Sequence, residues 1–221
     1  MSVGVNVKRL GSRLTIIAVA LESARFARAD RYEATIVVRS AGTLARVADD
    51  GTPESALVQG GGLVTGLSYG VLNWLDIGGE VAVHVTTHAT YDTATLQVLG
   101  GMQTGELSRT TQLAHVRAGA TLRLGVRWVP TLYIGIGAGG RHRSAAQLRT
   151  ERGVFAPDGQ DSAITPDVLG TLRLGLDRRL TRRWSLGICA GATAYYGVTG
   201  TPGVQLLEAN MSFAYTWYPN W

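Results

Sequence analysis

The 221-residue chain has no uninterrupted run of the ~20 apolar residues that a membrane-spanning helix needs, which excludes a helical membrane protein. That absence does not touch a barrel, because only alternate residues of each strand face lipid there. With a single cysteine, Cys189, the chain has no intramolecular disulfide framework. No cysteine follows the short apolar segment near the start, which excludes a lipid-anchored lipoprotein. Metal ligands are sparse as well. His84, His88 and His115 carry inward parity, but on a strand His84 and His88 stand about 13 Å apart, too far to share one zinc ion, and no metal or other cofactor is expected. They read as hydrogen-bonding members of a polar interior.

Excess charge is missing too, once the chain is divided. The formal net charge is +5, yet residues 1–29 hold five basic and one acidic residue, leaving 16 basic against 15 acidic side chains after them. Nucleic-acid binding thereby loses its electrostatic support. Residues 1–29 have the pattern of a signal peptide: Lys8, Arg9 and Arg13, then the apolar LTIIAVAL of residues 14–21, then Ala27-Arg28-Ala29 as the cleavage site. The expected organisation is a signal peptide over 1–29 and one domain over 30–221.

What is present is alternation. In residues 113–129 the even positions are Ala114, Val116, Ala118, Ala120, Leu122, Leu124, Val126 and Trp128, and the odd positions include His115, Arg117, Thr121, Arg123 and Arg127. Side chains of a strand point alternately to its two faces, so this stretch presents hydrocarbon on one side and charge on the other. The run is also about twice as long as an ordinary soluble strand of 5–6 residues. Seven further segments repeat the pattern, over about 30–39, 61–72, 75–85, 131–143, 168–177, 184–193 and 207–217. Polar loops are expected near 48–55, 91–110 and 145–165, and tight turns at Asn73-Trp74 and Val129-Pro130 and after Asp177. The fold class is all-β, a single closed antiparallel eight-stranded transmembrane barrel with an up-and-down meander.

An even strand number places both ends on one side, and export makes that side the periplasm, where the short turns belong. Trp74, Trp128, Trp184, Trp217 and Trp221 all fall at that rim, as an interfacial aromatic girdle does. The inward set contains Glu33, Asp76, Glu80, Asp177 and Glu208 against Arg39, Arg117, Arg123, Arg127, Arg141 and Arg173, nearly balanced in sign. An eight-stranded barrel is only wide enough to be filled by its own side chains, and buried charges must pair, so a salt-bridged plug with little conductance is expected. A narrow ion path lined by the same arginines is the alternative.

Signal peptide, eight alternating strands, short turns on one side and an aromatic C-terminus together resemble the small outer-membrane β-barrels of the OmpA/OmpX type, of the Gram-negative cell envelope. The last nine residues, FAYTWYPNW, look like the terminal-strand signal read by the barrel assembly machinery, with Pro219 a departure from a regular strand. The resemblance implies an integral outer-membrane location; it is architectural and does not fix function, and the expected reading is non-enzymatic. A structural or surface-interaction role would fall to the external loops, whose acids could bind lipopolysaccharide-bridging cations or an envelope protein partner. The basic turn of Arg178, Arg179, Arg182 and Arg183 could meet anionic headgroups or a periplasmic protein. A rival enzyme reading rests on His142-Arg143-Ser144 with Glu151. These are similar to the His-x-Ser and downstream Glu of the outer-membrane lipid A deacylases, in which Ser144 would attack, His142 would take its proton and Glu151 would orient the imidazole.

Overall fold

The computed structural model describes residues 32–48, 55–125, 127–159, 161–198 and 203–219. The proposed signal peptide, Val126 and Trp221 lie outside the described residues. Eight long strands form a closed barrel: β1 (Ala34–Ala48), β2 (Ser55–Leu72), β3 (Leu75–Thr86), β6 (Thr111–Arg123), β7 (Trp128–Arg143), β10 (Ala163–Arg179), β11 (Trp184–Gly197) and β12 (Val204–Trp217). Each pairs antiparallel with its neighbours, and β1 closes the ladder on β12 from Ala34 opposite Trp217 to Val47 opposite Val204. Closure leaves no unpaired barrel edge, which supplies the covalent-free staple that a chain with one cysteine requires.

Burial is inverted relative to a soluble protein. Ile36, Val38, Leu63, Leu67, Val81, Val83, Ile134, Ile136, Leu172, Leu174, Ile188 and Met211 are exposed, whereas Glu33, Asp76, Glu80, Arg117, Arg141, Arg173 and Glu208 are buried. The parity read from the sequence accounts for this, as hydrocarbon points out and charge points in. Glycines make the interior possible. A Cβ on Gly66 would come within 2.8 Å of the Glu80 side chain, and one on Gly119 or Gly135 would meet the Tyr133 ring at 2.7 Å or less. Small inward residues, on the same strand or the next, thus give the volume that a large inward residue fills.

Three expectations are corrected. The run over 113–129 is two strands, not one: β6 ends at Arg123 and β7 begins at Trp128. Gly125, with φ of 114°, makes the turn between them, and its tight contact with the Trp128 carbonyl leaves no room for a Cβ. Val129 and Pro130 consequently lie in β7, opposite Asp177 and Leu176, and Arg127 is exposed in the turn rather than inside the lumen. His88 also leaves the interior, since β3 ends at Thr86 and His88 is exposed beyond it.

The third correction concerns the loops. Two of the segments read as polar loops contain a second sheet, with β4 (Ala89–Val98), β5 (Gly101–Arg109), β8 (Gln147–Thr150) and β9 (Gly153–Phe155) in the order β4-β5-β8-β9. Tyr91, Leu107, Leu148 and Phe155 align in one cross-strand row of that sheet. This face packs down on the barrel mouth, where it joins Val47, Val58, Leu113, Leu169, Val204 and Leu206 in one apolar cluster. The Tyr91 hydroxyl donates to the Val47 carbonyl at 3.2 Å and ties the sheet to β1. We refer to this end as the cap end and to the opposite one as the turn end.

Candidate functional site

Charged side chains converge in the barrel interior, which is layered. Its central group is Glu80 on β3. Arg117 Nε donates to it at 2.7 Å, Arg173 Nη2 at 2.8 Å and Arg39 Nη1 at 2.5 Å, so β1, β6 and β10 each send one arginine to a single carboxylate. A lone carboxylate at this depth would be costly. Here three guanidinium groups surround it, and Arg117 also reaches Glu208 at 3.6 Å, so charge balance extends to β12. The Tyr133 ring lies beneath two of the arginines, with the Arg173 guanidinium 4.5 Å and the Arg117 guanidinium 5.7 Å from its centroid.

Toward the turn end, Arg123 pairs with Asp76 and Arg179 with Glu33, and the Tyr218 hydroxyl donates to Glu33 at 2.8 Å. Asp177 accepts from Ser212. Toward the cap end, Arg141 makes a two-pronged contact with Asp167, at 3.1 and 2.7 Å, with both residues almost wholly buried. Thr193 donates to Glu208 at 2.9 Å and also lies within hydrogen-bond distance of Thr171. His84 and His115 stack with ring centroids 5.5 Å apart, and His115 Nδ1 is 2.9 Å from the Tyr195 hydroxyl. Among the described residues no three of His, Cys, Asp and Glu converge as metal ligands.

The lumen residues selected from parity, Glu33, Arg39, Asp76, Glu80, Arg117, Arg123, Arg141, Arg173, Asp177 and Glu208, therefore share one interior, and Arg127 does not. Sequence reasoning missed Asp167, the partner of Arg141, because the alternation was followed only from Val168. Its odd parity with Thr171, Arg173 and Asp177 was the available signal. The apolar cluster above the charges was missed as well.

The remaining candidates lie elsewhere. His142 is half-buried on β7, Ser144 follows the strand, and Glu151 is exposed in the turn between β8 and β9. Ser144 Oγ accepts from the Thr110 N–H at 3.0 Å and donates to the Ala145 carbonyl. No hydrogen bond joins it to His142. Trp74, Trp128 and Trp184 are exposed at the turn end, and Trp217 ends β12 at the same rim. Trp184 lies 4.8 Å from Phe213 and 4.5 Å from Tyr215, which in turn stacks on Trp217 at 6.1 Å.

Between the Glu80 cluster and the turn end lies a polar cavity of about 60 Å³ lined by Arg39, Arg123, Tyr133, Asp177, Cys189 and Ser212 among others. Since a water needs roughly 10–15 Å³ of such volume, it has room for only a few. Cys189 is half-exposed on its wall. In intact vesicles a small charged thiol reagent should modify Cys189 when supplied from the turn side and leave it unmodified from the cap side. Equal labelling from both sides would show that the apolar cluster does not close the lumen.

No family model matches the chain, and no curated protein matches it. Solved structures of similar shape include Ail, the attachment invasion locus protein of Yersinia pestis, at 14% identity over 85% of this chain and 99% of that one, with a TM-score of 0.49. Neisserial surface protein A is 12% identical over 82% of this chain and 96% of its own, with a TM-score of 0.46. A major outer membrane protein of Thermus thermophilus is 14% identical over 83% and 99%, with a TM-score of 0.41. A closed ladder that buries Arg117, Arg141 and Arg173 and exposes Leu67, Leu172 and Leu174 has lipid for a solvent, and the chain is an integral β-barrel protein of the outer-membrane kind.

Proposed function

We propose that this protein is a non-conducting, non-enzymatic outer-membrane barrel that keeps both termini in the periplasm and works through its cap as a structural or surface-interaction element. One observation carries the reading: the lumen is blocked twice, by the Glu80 charge cluster and by the apolar cluster of Leu107 and Leu148 over Leu113 and Leu206. A permeation path needs continuous water, and an apolar layer several side chains thick interrupts it. The loops that would carry an adhesive or bridging function are thereby spent in part on sealing the barrel. Their outer face keeps Asp92, Glu106, Glu151, Asp158 and Asp161 exposed, which suits cation-bridged lipopolysaccharide or a basic envelope protein. Insertion would depend on the barrel assembly machinery. The engagement of Ser144 with Thr110, and its lack of a hydrogen bond to His142, favour the non-enzymatic reading over acyl hydrolysis.

The test is single-channel recording of the full chain in planar bilayers. We expect a flat baseline across the voltage range in which open porins show steps. Steady, cation- or anion-selective steps from the intact barrel would replace this reading with the narrow arginine-lined channel.

A further inference from the structure

Exposed charge on this molecule is sorted by end. At the cap end, exposed acids outnumber exposed arginines, with Asp92, Glu106, Glu151, Asp158 and Asp161 beside Arg46, Arg149 and Arg152 among the described residues. The turn end is different. Its described carboxylates, Glu33, Asp76 and Asp177, belong to the lumen, whereas Arg127, Arg178, Arg182 and Arg183 are exposed. None of these four makes an ion pair with a described carboxylate.

The four are also gathered. The β6–β7 connection, which contains Arg127, and the turn after β10 belong to neighbouring hairpins, because β7 pairs with β10. Arg178 stands opposite Trp128 in that ladder, and the Arg179 N–H donates to the Arg127 carbonyl at 3.0 Å, which brings the two turns together. The aromatic rim is built into the same cluster. The Arg178 guanidinium lies 5.2 Å from the Trp128 ring centroid, and Arg183 Nη1 reaches the Tyr215 hydroxyl at 3.5 Å. Directly along the strands from these residues come the lipid-facing Leu176, Leu174, Leu186 and Phe213. Aromatic rings at the end of an apolar belt mark the headgroup level, so the arginines stand where lipid phosphates are.

We propose that Arg127, Arg178, Arg182 and Arg183 form a docking surface for anionic phospholipid headgroups in the turn-end leaflet. The inference rests on the outer-membrane reading and adds the chemical class of lipid. A guanidinium presents a planar fork of donors that fits phosphate oxygens, and four of them without carboxylate partners favour a headgroup with net negative charge over a zwitterionic one, whose ammonium they repel. An acidic envelope protein is the other occupant such a surface could take. Continuity with the lipid-facing belt and the girdle favours the lipid.

The experiment uses the full chain in phosphatidylcholine vesicles that contain a minor fraction of either bromine-labelled phosphatidylglycerol or bromine-labelled phosphatidylcholine, with quenching of tryptophan fluorescence as the readout. Trp128 and Trp184 lie within the cluster and report directly. We expect brominated phosphatidylglycerol to quench as though enriched about threefold or more around the barrel, an enrichment that shrinks with added salt and disappears in the combined R127Q, R178Q, R182Q and R183Q variant. Equal quenching by the two lipids, in a chain that still shows the boiling-dependent mobility shift of a closed barrel, would overturn the proposal. Salt-sensitive binding of polyglutamate without any lipid preference would overturn it in favour of a protein partner. A chain that inserts into neither vesicle would instead sink the outer-membrane reading, and this inference with it.

Discussion

Replacing Glu80 with glutamine should destabilise the barrel more than any other single isosteric change in its interior. Glutamine keeps the shape but removes the one charge that Arg39, Arg117 and Arg173 share. Removing one partner from a buried ion cluster typically costs about 3–5 kcal/mol, because the remaining charges stay out of water without compensation. Glu208 relieves only Arg117, and at 3.6 Å. We therefore expect E80Q to lower the unfolding free energy, read from urea titrations in vesicles, by an amount in that range, with a lower midpoint as its signature. A second substitution, Arg39→Gln, should recover part of the loss, since Arg39 is the most exposed of the three arginines and its removal restores the count of charges. Asp76→Asn is the comparison, because Asp76 answers to one arginine whose side chain is 17% exposed, and it should cost less. If E80Q unfolds at the wild-type midpoint, the cluster contributes no net stability, and the charge layer must be explained by specificity or by solvent filling the cavity below it.

Much of this interior could be read from parity alone. Position in the alternation puts Glu80, Arg117 and Arg173 in the lumen, and the structure places both arginines within hydrogen-bond distance of Glu80. The reason is geometric: in a closed narrow barrel every inward residue has few neighbours to choose from, so balanced charges meet. Partner identity was harder. Arg141 pairs with Asp167 diagonally across β7 and β10, in a register set between two strands whose connection carries β8 and β9, and not by local pattern. The break between β6 and β7 was hidden for a related reason. Leu124, Val126 and Trp128 continue the apolar alternation through a turn at the membrane rim, where apolar residues are favoured whether or not the backbone is extended. What marks the turn is Gly125, whose left-handed backbone has no signature in a chain already rich in glycine.

The cap was illegible for a different reason. Two of its strands, β8 and β9, have only four and three residues, β4 carries a register shift between Tyr91 and Ala94, and β5 and β8 are separated in sequence by two barrel strands. Period-two alternation over three or four residues carries little information. The apolar residues were present, but Tyr91, Leu107, Leu148 and Phe155 become a continuous face only after the barrel brings their loops together. Those side chains point inward over the mouth, while Leu99, Met102 and Val154 of the same loops stay exposed.

Aspartate in place of Leu107 should release that cap while leaving the barrel closed. Leu107 is fully buried, at the centre of the row that links Tyr91 to Leu148, and it seals the apolar layer from above. A carboxylate there has no arginine in register with it and would lose its hydration for no return, a penalty of several kcal/mol. The strands of the cap are held to one another by short ladders, whereas each barrel strand is paired along most of its length on both sides. The cheaper response is thus to lift the sheet into water rather than to open the barrel. Arg109, buried at the end of β5, then becomes a site for trypsin, so L107D should gain a cleavage after Arg109 and still show the mobility shift on boiling. Leu107→Ala, which removes volume without adding charge, should cost about 2–5 kcal/mol locally and give a weaker form of the same cleavage. Protection of Arg109 in L107D would mean that the sheet is held by something other than this apolar face. Cleavage with an intact barrel would instead provide a variant that is sealed only by its charge layer, in which any surface role of the cap can be removed without removing the protein from the membrane.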